Sequence, residues 1–324
     1  MGTTNERSKR CKETIKKVNE KENSSNHIEG IGLSLNEKKK ITKEVKSITE
    51  EEAEKDYENL ENLKIKDIKP STRTGNKFID FFTFFERLNT VGKNGLSFFD
   101  YFEERNKNIK KPYIKRLIEY MSKNKNIYKK WYSVFNLYQG SINIFKPVLA
   151  MEIYYKFKPH TVLDFTMGWG GRLVGACVLN VPKYIGIDLN KKLENPYKDM
   201  VKKVKELGTK TEIQLIFKDC LTVDYSKFKY DMVFTSPPYF NIELYSGTKK
   251  RDKEDWINNF YIPIFEKTYK YLQKGGLYIL NVPVEIYENV CIKVFGKADK
   301  LYPLKIQSRS KDIDYKEYLY IWKK

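Results

Sequence analysis

The chain has 324 residues, 40% hydrophobic and 15% aromatic, with 61 Lys and Arg against 42 Asp and Glu for a net charge of +19. That length suits one large domain or two modest ones, and the apolar share is enough for a real core. Four cysteines without CxxC spacing and only two histidines, His27 and His160, leave no inventory for a zinc centre or for Ser-His-Asp chemistry. The sequence carries no 18-residue apolar run and no signal-peptide segment, and Glu6 stands where a myristoylation signal has Ser or Thr. The chain therefore reads as soluble and intracellular, in cytoplasm or nucleus.

Taken in order, residues 1–76 are polar and nearly neutral, with 17 basic and 15 acidic residues and Tyr57 as their single aromatic. Such a segment buries too little apolar surface to offset chain entropy. It is expected to be a mostly disordered or loosely helical tail, with a helix near 48–65 capped by Ser47, or else a docking arm. The excess of 17 positive charges lies in 77–324, where a polyanion can use it. A Lys-, Asn-, Ile- and Tyr-rich composition also follows from AT-rich coding, so charge alone leaves nucleic acid open.

At Phe78 the composition turns aromatic and basic. Residues 77–138 read as a small helical subdomain, with helices at 78–88, 97–107, 112–122 and 125–137. Its aromatics fit a core better than a base-stacking surface, while Lys110 and Lys111 remain available to phosphates. From 139 onward helix and strand signals alternate. Helices are expected at 146–157, 171–179, 194–207 and 254–273. Strands are expected at 161–165, 183–188, 213–218, 230–235 and 277–282, with a final antiparallel pair near 303–308 and 316–322. This is an α/β pattern: a doubly wound Rossmann-like sheet closed by a C-terminal hairpin, with ligands at the carboxyl ends of its strands.

Two stretches carry chemistry. The first strand runs into Asp164-Phe165-Thr166-Met167-Gly168-Trp169-Gly170-Gly171, where glycines let backbone approach a ligand. Leu173 replaces the third glycine of a dinucleotide fingerprint. The acidic Asp164 disfavours a pyrophosphate and favours a ligand with a positive amine, which fits S-adenosylmethionine. Asp188 ends the next strand and suits ribose hydroxyls. Asp219 ends the third and suits an adenine amine, with Cys220 or Leu221 packing on its ring. Singly, each aspartate is as well explained as a helix cap; in series at successive strand ends they point to a nucleoside site. The second stretch is Ser236-Pro237-Pro238-Tyr239, directly after the fourth strand. Two prolines stiffen the loop and cannot donate to a sheet. The Ser236 hydroxyl and the Pro237 carbonyl can then accept from an exocyclic amine and aim its lone pair at a methyl donor, while Tyr239 stacks on a base taken out of its helix.

These residues resemble the nucleic-acid amino-methyltransferases, whose hallmark is (Asp/Asn/Ser)-Pro-Pro-(Tyr/Phe/Trp). The likeness is strongest to DNA adenine-N6 and cytosine-N4 enzymes of phages and large DNA viruses, and it covers about residues 139–322. It implies S-adenosylmethionine as cofactor, DNA as partner and a host-cell location if viral. It also implies cofactor-site roles for Phe145, Lys146, Asp164, Thr166, Gly168, Gly170, Asp188, Asp219 and Cys220, and catalytic roles for Ser236 to Tyr239. Serine at the first position is commoner among the cytosine-N4 enzymes, which leaves the base open. Two departures stand out. Phe165 to Trp169 replace the usual Pro-Phe-x-Gly-Ser pattern, and the chain has no sizeable reading domain after Tyr239. Lys249, Lys250 and Arg251 are a candidate phosphate-contacting loop, or a solvated charge run. Recognition then falls to 78–138, to a partner subunit or homodimer, or to single-stranded substrate. An RNA amino-methyltransferase and a nucleic-acid-binding subunit with a degenerate site are the alternative readings.

Overall fold

The computed structural model describes residues 32–92, 94–121, 126–140, 142–240, 243–244, 251–304 and 317–324. Its contacts divide into two units, one joining residues up to Ser47 with Phe98–Gly140, the other joining Ile48–Ser97 with Ser141–Lys324. From residue 32 on, the expected boundaries, a tail over 1–76 and a helical subdomain over 77–138, are thus redrawn; the first 31 residues of that tail lie outside the described residues.

In the first unit, helices Leu35–Val45, Phe98–Glu103, Pro112–Tyr120 and Ile127–Phe135 surround a small aromatic core. Phe98, Phe99, Tyr101, Phe102, Trp131 and Phe135 are buried, with Ile41, Val45, Ile114 and Ile118. Most aromatics of this stretch are core, as their spacing suggested. The helix at Leu35–Val45 was not expected; Ser34 and Glu37 form its capping box, which satisfies two otherwise orphaned N–H groups.

The second unit begins with α1 (Glu50–Glu61) and α2 (Asn76–Asn89). Thr49, not Ser47, caps α1 in a capping box with Glu52. The Asp56 carboxylate then accepts from the Lys77 and Phe78 N–H groups at 2.7 and 3.2 Å, capping α2 from a neighbouring helix. Tyr57 and Leu60 are fully buried, and the Tyr57 ring lies 4.9 Å from that of Phe78. This segment belongs to the core, contrary to the expected tail. Few apolar residues sufficed because both helices share one apolar face.

Helices α3 (Pro147–Phe157), α4 (Gly171–Val178), α5 (Glu194–Glu206) and α6 (Ile262–Tyr271) flank a seven-stranded sheet. Its strands are β1 (Thr161–Asp164), β2 (Lys183–Asp188), β3 (Glu212–Phe217), β4 (Tyr230–Thr235), β5 (Leu272–Asn281), β6 (Lys300–Pro303) and β7 (Tyr318–Lys323). Their spatial order is β3-β2-β1-β4-β5-β7-β6. The first five are parallel and β7 runs antiparallel to both neighbours. This is a doubly wound Rossmann-like sheet with a C-terminal antiparallel hairpin, as the alternating pattern implied.

Strand residues alternate between two faces, as a pleat requires. Val162, Tyr184, Met232, Phe234 and Ile279 join the cluster containing Tyr57, Phe78 and Ile153. Leu163, Ile185, Val233, Tyr278 and Leu280 join the opposite cluster with Ile264, Phe265 and Trp322. Both faces being covered explains why these strands read as continuous apolar runs. Three features escaped the sequence. β5 starts five residues early, with a register irregularity between Tyr230 and Met232. Short helical turns span Val284–Phe295. Val91–Gly92 pairs antiparallel with Glu243–Leu244.

The strand order reverses between β1 and β4: the chain winds outward through β2 and β3, then returns to add β4 and β5 on the other side. Such a switch point opens a crevice at the carboxyl ends of the two central strands. The glycine turn and the Ser236–Tyr239 loop leave the sheet there, side by side.

Candidate active site at the switch point

Leu163 of β1 stands opposite Val233 of β4, so Asp164 and Thr235 end neighbouring strands. Thr235 donates to Asp164 Oδ1 at 2.7 Å. Thr235 and Thr166 hydroxyls are 2.6 Å apart. Because the single Thr235 proton goes to Asp164, Thr166 is the donor in that pair.

Arg172, in the first turn of α4, ties the two loops together. Its Nε donates to Asp164 Oδ2 at 2.6 Å, its NH2 to the Thr166 carbonyl at 2.6 Å and its NH1 to Ser236 Oγ at 3.0 Å. The guanidinium also sits 5.3 Å from the Phe145 ring centroid. Arg172 is only 3% exposed. Burial works against its charge, but the Asp164 carboxylate outweighs that and holds the guanidinium above its ordinary range. The sequence reading gave Arg172 no role; a single arginine behind a glycine run has no periodicity to mark it.

This arrangement corrects the reading of Asp164. The carboxylate is fully enclosed and already accepts from Arg172, Thr235 and the Tyr184 hydroxyl, the last at 2.6 Å. It orients Arg172 and is not exposed to pair with an incoming ammonium. Lys146 is corrected as well. Its Nζ donates to the Pro70 carbonyl at 2.7 Å, and partial burial together with nearby Arg73 lowers its pKa. It straps the segment before α2 to the start of α3. Phe145 does reach the turn: its ring meets Phe234 edge-on at 5.5 Å, and its carbonyl presses against Gly171, where a Cβ would stand 1.7 Å from the carbonyl oxygen.

Gly168 and Gly170 have φ of +59° and +100°, the left-handed region that glycine enters without steric cost. The Gly168 N–H donates to Asp188 Oδ2 and the Asn190 N–H to Asp188 Oδ1, both at 2.9 Å. Each Asp188 oxygen therefore keeps lone-pair capacity for a further donor. Burial raises its pKa to about 6 against the lowering effect of those two N–H groups. Asp219 Oδ1 accepts from the Leu221 N–H at 2.9 Å, so Asp219 serves as the cap of a short turn. Cys220 is buried, and its thiol pKa is raised by that burial. Asp188 and Asp219 follow Asp164 at the ends of adjacent strands β2 and β3.

On the β4 side, Ser236 donates weakly to Asn281 Oδ1 at 3.4 Å, and the Tyr239 hydroxyl lies 2.8 Å from that same atom. Asn281 Nδ2 in turn donates to Glu317 at 2.9 Å, which fixes the orientation of the amide. Tyr261 donates to the Pro238 carbonyl at 2.5 Å and accepts from the Phe240 N–H at 3.0 Å. That bond holds Phe240 at φ +52°, a costly conformation for a bulky residue. Asn281 and Tyr261 lie 45 and 25 residues from Ser236 and carried no sequence signal.

Of the expected nucleic-acid contacts, Lys110 and Lys111 are exposed in the first unit. Exposed Arg251 reaches Asp255 at 3.5 Å and stands over the Trp256 ring at 5.3 Å. Lys249 and Lys250 lie outside the described residues. Among the described residues there is no His/Cys/Asp/Glu cluster able to hold a metal ion and no helix long and apolar enough to cross a membrane.

No protein-family model matches the chain, and no curated protein matches it. Solved structures similar in part include an rRNA methylase from Streptococcus thermophilus, 15% identical over 56% of this chain and 98% of that one, with a TM-score of 0.36. TehB from Haemophilus influenzae is 11% identical over 59% of this chain and 65% of its own, with a TM-score of 0.35. TrmN from Thermus thermophilus is 14% identical over 55% of this chain and 48% of its own, with a TM-score of 0.36. Identities and scores this low add nothing to the strand order and register, on which the fold assignment rests.

Proposed function

We propose that the chain transfers a methyl group from S-adenosylmethionine to the exocyclic amino group of a nucleobase in DNA, cytosine N4 or adenine N6. The observation that carries this reading is the Arg172 bridge, which joins the glycine turn after β1 to the Ser-Pro-Pro-Tyr loop after β4. A nucleoside site and an amine-gripping site on one edge of the sheet suit this reaction. The enclosed hydrogen bonds around Ser236 argue against a degenerate site.

The residues present fit the cofactor. Gly168 and Gly170 open the turn, Asp188 retains acceptor capacity for ribose hydroxyls, and Asp219 with Cys220 borders the far side. When bound, S-adenosylmethionine supplies an electrophilic methyl group. The chain's own part is positioning. Ser236 receives a hydrogen bond from Arg172 and points its own proton toward Asn281, so toward a substrate it presents a lone pair. A lone pair there accepts an amino N–H and disfavours a carbonyl oxygen. Pro237 and Pro238 limit the loop's motion, which reduces the entropy cost of holding the amine in place. The Pro237 carbonyl is the second acceptor and the Tyr239 ring the stacking surface. Arg251, with Lys249 and Lys250, contacts phosphates.

An RNA base is the second reading. It is favoured by the length of chain between Tyr239 and the helical turn at Lys253, too short for the separate reading domain of duplex-specific enzymes. One experiment tests both: nucleoside mass spectrometry after incubating the protein and S-adenosylmethionine with duplex DNA, single-stranded DNA and RNA. N4-methyldeoxycytidine or N6-methyldeoxyadenosine is expected, and absent with Ser236→Ala. Methylated ribonucleosides alone would transfer the reading to RNA. Cofactor binding with no methylated nucleoside would overturn both.

A further inference from the structure

The first unit carries an exposed aromatic and basic surface outside its core. Helix Pro112–Tyr120 buries Ile114 and Ile118 and turns Tyr113, Arg116 and Tyr120 outward. These three recur at intervals of three and four residues, so they form one stripe along the helix. Tyr113 is 48% and Tyr120 86% exposed, whereas Tyr101 of the same unit is buried. Tyr138, 40% exposed, places its ring 4.9 Å from that of Tyr113. Leu137 beside it is exposed too.

The charge around this stripe is one-sided. Between Arg105 and Tyr120 the sequence has six basic residues and one acidic, Glu119. Lys110, Lys111, Lys115 and Arg116 are all exposed. Among the described residues none of these four forms an ion pair, whereas exposed Lys198 and Lys202 of the second unit's α5 reach Glu194 and Glu206. Unpaired cations repel one another and are retained most readily where an anion neutralises them. Aromatic faces two helical turns apart, with cations between and alongside them, suit a strand whose bases are unpaired: rings stack on bases of any sequence and lysines follow the phosphates. A duplex offers only its phosphates to such a surface, because its base faces are already stacked.

We infer that this face binds single-stranded nucleic acid, with Tyr113, Tyr138 and Tyr120 as stacking platforms and Lys110, Lys111, Lys115 and Arg116 as phosphate contacts. The inference deepens the proposed function by naming the state of the polymer, and it rests on that reading only for the purpose of binding, not for binding itself. Its test is therefore made without cofactor. Fluorescence anisotropy of the full chain would be measured with labelled single-stranded DNA, RNA of the same sequence and duplex DNA. Single strands should bind more tightly than duplex, the DNA and RNA arms showing which sugar is preferred. Tyr113→Ala with Tyr120→Ala should weaken single-strand binding at least about tenfold, and Tyr→Phe at both positions should restore it. Lys110→Glu with Lys111→Glu should weaken binding and flatten its salt dependence. Circular dichroism would confirm that each variant folds. Unchanged single-strand affinity in the alanine variant, or equal affinity for duplex, would overturn the inference. Loss of methyl transfer with binding intact would instead count against the proposed chemistry.

Discussion

Arg172 and Asp164 form a buried charge pair whose worth shows when one partner is removed. A buried carboxylate left without its cation costs about 3–5 kcal/mol. Arg172→Met should therefore destabilise the fold by that order in urea denaturation, and adding Asp164→Asn should recover a measurable part, exposing the coupling. Asp188 makes a different prediction, through pH. Its folded pKa, raised to about 6, lies above the ordinary carboxylate value of about 4. The neutral form is the one that burial favours, so its contribution to stability is complete below pH about 4 and is lost as pH rises through about 6. The acceptor role runs the opposite way. Affinity for S-adenosylmethionine should fall about tenfold between pH 7 and pH 5 by calorimetry, and Asp188→Asn should bind weakly without that dependence. At this scale the sequence was partly legible. Ser236, Asp188 and the two left-handed glycines were marked by type and spacing. Asn281, Tyr261 and Arg172 were not, because their roles depend on contacts between elements far apart in the sequence. The role given to Asp164 failed for the same reason: its partners Tyr184 and Thr235 come from β2 and β4.

Elements were read better than their ends. Parallel strands buried on both faces give continuous apolar runs, and β2 and β4 match expectation to the residue. The strand expected at 277–282 begins instead at Leu272, which pairs with Tyr230 before the register shifts to Met232 and Leu277. The pair formed by α1 and α2 was missed because α1 has a single aromatic and heavy charge. Its signals were Thr49 with Glu52 three residues later and the buried pair Tyr57 and Leu60. If α1 belongs to the core, Tyr57→Ala should cost about 3–5 kcal/mol and Thr49→Ala about 1 kcal/mol, both read from urea denaturation. A loose tail would leave the midpoint unmoved in either variant. Close packing of α3 on α4 makes a similar demand, for Gly175 faces Ala150 and Met151 with no room for a side chain.

At the level of the whole chain, the surplus of positive charge was legible but its division between units was not. Residues 32–47 and 98–140 meet only through long-range contacts, which composition does not encode. Neutralising phosphates releases counterions, so nucleic-acid affinity should fall linearly on a log–log plot against salt. A flat response in anisotropy titrations between 50 and 200 mM salt would show that the excess charge has no polyanion to serve, on the scale of about 10³-fold expected for six contacts. The arginine bridge at the switch point has a thermodynamic corollary. On the proposed function, one guanidinium touching both loops couples occupancy of the glycine turn to occupancy of the Ser236–Tyr239 loop. Reciprocity then demands that donor and acceptor substrates enhance, or oppose, each other's affinity by one common factor, whichever enters first.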